Sequence, residues 1–148
     1  MLIKGRILIA CGVLLAIAMI AGCGGGGGGT NSGDTTGPTI SGASAASPSS
    51  CAGGDVTIKA NVTDNTAVKS VTAVVTDPYD KSSSTLTMSL TTGSTFSCSG
   101  YEAAENGNTS SVTYTVVITA TDTAGNTSKA SCTFKVPGET PPSPPSFE

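Results

Sequence analysis

Residues 111–122, SVTYTVVITATD, decide the fold. Apolar side chains fall at Val112, Tyr114, Val116, Ile118 and Ala120, with Thr113, Thr115, Thr119 and Thr121 between them. A period of two sends the first set to one face of a strand and the threonines to the other. A helix would scatter the same residues around its whole circumference. The β-branched content also suits a pleated surface buried on one side only. Such a strand needs partners, because its apolar face has nothing of its own to cover it.

The partners lie on both sides. Downstream, Asp122, Gly125 and Asn126 form a tight hairpin turn in which Gly125 can take positive φ. The strand that follows, 127–136, turns Ala130, Cys132, Phe134 and Val136 inward. Upstream, 55–64 alternates with Val56, Ile58, Ala60 and Val62 inward, and 68–77 with Val71, Ala73 and Val75. Residues 77–80 are a turn with Pro78 pre-set at its second position. Leu86, Met88 and Leu90 mark the next strand, and Thr92-Gly93 turns it into 95–100, where Phe96 and Cys98 face in. Asn106-Gly107 breaks the path before 111, and an irregular edge strand runs from Ile40 to near Ser50. No helical period interrupts the series. The expected fold is all-β: a seven-stranded β-sandwich, antiparallel apart from its first edge.

Two stretches carry a family resemblance. AGGDVTIKANVTDN at 52–65 and YTVVITATDTAGNT at 114–127 resemble the bacterial immunoglobulin-like, fibronectin-III-like modules of secreted and surface proteins. The resemblance spans roughly residues 37–137. It implies an Ig-like sandwich and says little about activity, since such modules serve as spacers, adhesins and appendages to enzymes. It also implies a tyrosine-corner role for Tyr114, with the phenol tying its strand to a neighbouring loop.

The N-terminal region reads as an address. Lys4 and Arg6 precede an apolar run over 7–21, long enough for a signal-peptide core and short of a membrane span. Ile20, Ala21, Gly22 and Cys23 resemble a bacterial lipobox, which implies cleavage after residue 22 and acylation of Cys23. One acyl chain binds a membrane only marginally, so stable anchoring takes two or more. Gly24 in place of an Asp favours the outer membrane over the inner. Six glycines and a polar stretch then make residues 23–37 a lipidated cysteine on a flexible tether, with a span of roughly 20 Å over its linker residues. The domain organisation is therefore leader 1–22, tether 23–37, sandwich 38–137 and a proline-rich, polyproline-like disordered tail 138–148.

Composition excludes several functions. Losing Lys4 and Arg6 with the leader leaves five lysines against ten acidic residues, a poor balance for nucleic acid. The chain has no histidine, which removes the usual general base and the Ser-His-Asp arrangement. Glu102 and Glu105 share one loop without apolar surroundings and read as solvated surface acids, so no catalytic residue and no enzyme activity is expected.

Export places Cys51, Cys98 and Cys132 in an oxidising compartment, where one disulfide and one spare thiol are expected. In the Ig-like order the strands of Cys98 and Cys132 lie diagonally in opposite sheets, while the first edge runs beside the last strand. This favours Cys51–Cys132, with Cys51–Cys98 as the alternative.

One constellation remains. The turns carrying Asp64, Asn65, Asp122 and Asn126 should meet at the end of the sandwich where the tether brings in Asp34. Their oxygens could hold a Ca²⁺; alternatively they cap their own turns, and no cofactor is needed. The expectation is a lipid-anchored, non-catalytic Ig-like domain displayed on the bacterial cell envelope with a structural or binding role. The membrane is its partner through the lipid, alongside an envelope protein or a glycan. A glycan-binding alternative would need an aromatic platform from Tyr79, Tyr101 or Phe147.

Overall fold

The computed structural model describes residues 33–141. The expected leader, the expected processing site at Ile20, Ala21, Gly22 and Cys23, the expected tether up to residue 32, and residues 142–148 with Phe147 lie outside the described residues.

Seven strands form: β1 (Thr39–Ala45), β2 (Gly54–Thr63), β3 (Val68–Thr76), β4 (Ser83–Thr92), β5 (Thr95–Ala103), β6 (Val112–Asp122) and β7 (Thr127–Val136). They lie in the order β1-β2-β5-β4-β3-β6-β7, and every neighbouring pair is antiparallel, β1 with β2 included. The first edge is thus no exception to the rule. It is also shorter than its sequence suggested, and its ladder with β2 shifts register between Ser41 and Ser44.

The seven strands make one sheet, because β4 belongs to both halves. Its residues Ser83–Met88 pair with β3, and beyond them Ser89, Leu90 and Thr92 pair with β5. The sheet curls nearly into a barrel and brings its edges β1 and β7 together. Just beyond β1, the Ser47 hydroxyl accepts a hydrogen bond from the Lys135 amide of β7 (3.1 Å). Just before it, Gly37 lies against Thr127 and Ser128.

The core fills the inside of the curl, and the alternation read from the sequence selects it. Val56, Ile58, Ala60 and Val62 of β2, Val71, Ala73 and Val75 of β3, and Tyr114, Val116, Ile118 and Ala120 of β6 are all buried. Phe134 and Val136 complete it from β7, and Met88 from β4. Leu90 departs from the pattern at 58% exposure. The β3–β4 ladder ends at Met88, where β4 leaves β3 for β5, and Leu90 stands opposite Phe96 of β5.

Tyr114 stacks on Phe134 (centroids 4.7 Å apart, planes 9° apart), and Tyr101 meets both edge-on at 6.2 and 6.1 Å. The Tyr114 hydroxyl is buried and makes no close, well-aligned hydrogen bond among the described residues; the backbone of Ala104, in the β5–β6 connection, is the group nearest to tying it, and it lowers the phenol's pKa. Burial, together with the negative charge of Asp77, raises the pKa of this phenol.

Antiparallel connections sort the loops to two ends. The β2–β3, β4–β5 and β6–β7 turns share one end with the segment leading into β1. The β1–β2, β3–β4 and β5–β6 connections share the other with the exit from β7. At that second end the fully buried Asn106 acts as a hub. Its amide nitrogen donates to the carbonyls of Ser110 (2.9 Å), Val136 (3.2 Å) and Pro137 (3.0 Å). Its side-chain oxygen accepts from the Tyr79 hydroxyl (2.9 Å) and the Asn108 amide (3.1 Å), and its own N–H donates to the Cys51 carbonyl (2.7 Å). The start of the tail is held here as well, through Glu139 N–H to the Asn108 carbonyl (2.8 Å).

This geometry explains why the expected Cys51–Cys132 disulfide is not formed and why Cys51, Cys98 and Cys132 are free thiols. Asn106 ties Cys51 to the level of Val136 and Pro137. Cys132 lies four residues further up β7, about 13 Å of strand, and a disulfide needs its Cα atoms within about 7 Å. The alternative, Cys51–Cys98, fails in the same way, because Cys98 lies mid-strand opposite Ile58 while the Cys51 turn precedes the pairing of Gly54 with Ala103. Burial raises the pKa of both Cys98 and Cys132.

Candidate metal centre

At the first end, three carboxylates converge. Asp34 arrives on the segment leading into β1, Asp64 follows β2, and Asp122 closes β6. Each offers an oxygen that lies within 4.8 Å of the other two. Asp122 is fully buried, and the other two are partly buried.

Each turn builds its own carboxylate in place. Asp64 Oδ1 accepts from the Thr66 amide (3.0 Å), and Asp34 Oδ1 from the Thr36 amide (3.0 Å). Both are residue-to-residue-plus-two bonds of the kind that make Asp a turn former. Asp122 Oδ1 accepts from the amides of Gly125 (2.6 Å) and Asn126 (2.8 Å), and Asp122 N–H donates back to the Asn126 carbonyl (3.1 Å). Gly125 adopts φ +98, the conformation for which its turn selects glycine.

The two asparagines hold the carboxylates through their N–H groups. Asn65 Nδ2 donates to Asp34 Oδ1 (3.1 Å). Asn126 Nδ2 donates to Asp122 Oδ2 (2.7 Å) and to the backbone carbonyl of Asp34 (2.9 Å), strapping the incoming segment to the β6–β7 turn. All five residues singled out from sequence therefore meet, but Asn65 and Asn126 orient ligands where oxygen donors were expected. Thr66, which no local pattern marks, stands between two of the acids.

Two effects set the charge state. For Asp122, burial pushes the pKa up, and the hydrogen bonds from the Asn126 side chain and the Asn126 and Gly125 amides outweigh it, leaving the group below its ordinary value. For Asp34, the Thr36 amide and then the Asn65 side chain hold the pKa down. Both are ionised at neutral pH.

The site has more acceptors than donors. The Thr66 hydroxyl lies 2.7 Å from Asp64 Oδ1 and 2.9 Å from Asp34 Oδ2, yet it has one proton to give. Asp64 Oδ2 is buried and has no hydrogen-bond partner among the described residues. An oxygen-only, anionic donor set of this kind suits a hard cation such as Ca²⁺ and not a thiophilic metal.

The other candidates lie apart. Tyr79 is 49% exposed at the second end, with its hydroxyl tied to Asn106. Tyr101 sits in the core aromatic cluster, so the two do not form a common platform. Glu102 and Glu105 are solvent-exposed. No protein-family model matches the chain, and no curated protein matches it.

Proposed function

We propose that the chain is a lipid-anchored, non-catalytic, immunoglobulin-like module displayed from a bacterial envelope membrane, the outer one in a two-membrane cell, where it serves a structural or binding role. The strand order supports the immunoglobulin-like part of this reading, and the residues around Cys23 suggest the anchor. Divided at β4, the sheet gives β1-β2-β5-β4 and β3-β6-β7, which is the strand order of a seven-stranded Ig domain of the constant type. The position of the strap supports it further. The chain enters at the Asp34 end, so a tether from Cys23 holds that end toward the membrane and presents the Asn106 end, with exposed Tyr79, to whatever the module meets.

Palmitate labelling and membrane fractionation of the wild type and Cys23→Ser test the anchor. The wild type should carry label and sediment with membranes, and the variant should do neither. A Cys23→Ser chain still labelled and membrane-bound would refute the reading.

A further inference from the structure

We infer that Asp34, Asp64 and Asp122 bind a divalent cation of the Ca²⁺ class, and that the ion clamps the incoming strap onto the β2–β3 and β6–β7 turns. Three points no more than 4.8 Å apart can all be reached by one ion at no more than about 2.8 Å, close to the 2.3–2.6 Å of Ca²⁺–oxygen bonds. The site also carries the mark of a missing positive partner. The Asp64 oxygen that no donor reaches is sealed from water, which is expensive for an ionised group unless a charge meets it. Its other oxygen competes with Asp34 for the single Thr66 proton. A cation among the three carboxylates supplies that charge and releases the hydroxyl to one acceptor. Waters complete the six to eight oxygens that Ca²⁺ takes.

Turn capping alone explains Asp122 Oδ1, Asp34 Oδ1 and Asp64 Oδ1, each of which has its amide. It does not explain why three anions from distant parts of the chain are driven together, nor the orphaned Asp64 oxygen. The clamp is independent of the lipid anchor, and either can fail without the other.

The test uses the detergent-solubilised full-length chain. Calorimetric titration with CaCl₂ should give one saturable site, and the melting temperature should rise by about 5 °C or more in saturating Ca²⁺ relative to EGTA. Asp64→Asn keeps the Oδ1 acceptor for Thr66 and turns the orphaned position into a donor toward its acidic neighbours. This variant should lose Ca²⁺ binding while melting in EGTA at or above the wild-type temperature. Exchange of the Thr36 amide, slowed by Ca²⁺ in the wild type, should become indifferent to it. The inference is overturned if the wild type gives no binding heat and melts identically in Ca²⁺ and EGTA. It is equally overturned if Asp64→Asn binds Ca²⁺ as tightly as the wild type.

Discussion

Replacing Asn106 tests whether the end opposite the strap is held by one side chain. In Asn106→Ala, the Val136 carbonyl loses a fully buried donor, and the Ser110 and Pro137 carbonyls lose partly buried ones. On the other side, the Tyr79 hydroxyl and the Asn108 amide lose their acceptor. A stranded buried group costs about 1–3 kcal/mol, and groups that water can reach cost less. The expected loss is therefore about 2–4 kcal/mol, or roughly 10–30 °C in melting temperature for a domain of this size. Urea unfolding followed by circular dichroism measures it directly. Asn106→Asp sharpens the test because the shape is preserved. A carboxylate has no proton for the three carbonyls and places negative charge against them. Burial raises the pKa of such a group, so its deficit relative to the wild type should be large at neutral pH and shrink as pH falls and the carboxyl regains a proton. A loss under about 1 kcal/mol for the alanine variant, or a neutral aspartate variant at pH 7, would show that the hub is dispensable.

Three further outcomes follow from the same geometry. Tyr114→Phe removes a buried hydroxyl whose hydrogen bonding is limited to a weak contact with the Ala104 backbone and keeps the ring stack, so stability should change by no more than about 1 kcal/mol in denaturant unfolding; a larger loss would mean that the phenol firmly ties β6 to the β5–β6 connection. Gly53→Ala should lose at least about 2 kcal/mol, because φ is +76 and the added methyl would strike the backbone carbonyls of Ala103 and Ala104; a variant as stable as the wild type would contradict the packing of that turn. Folded-state pKa values of Asp34 and Asp122 are depressed, so the stability they contribute should be complete above the unfolded Asp value of about 3.9 and disappear as pH falls through the lower folded values. In EGTA, melting temperatures of the wild type and of Asp34→Asn should converge over that acidic window; a constant gap down to pH 2 would refute the assignment.

The sequence by itself determined the strands, their inward faces and the turn chemistry, because each depends on neighbours within a few residues. Alternation chose Val116 over Thr115, and a positive-φ turn needed Gly125, wherever the strands finally packed. It also brought Asp34, Asp64, Asn65, Asp122 and Asn126 to one end, since antiparallel strands of known order return alternate turns to the same side. What followed from distances across the sheet was left to the tertiary structure. Leu90 obeyed the local pattern and still emerged into solvent, because β4 leaves β3 after Met88 to pair with β5. Cys51 and Cys132 looked like partners until the Asn106 hub fixed their relative height. Asn106 itself read as a chain-breaking turn residue, since nothing local marks a side-chain nitrogen whose acceptors lie 4 to 31 residues away. Whether an asparagine beside the three carboxylates offers its oxygen or its N–H was likewise decided by which groups the curled sheet brought against it.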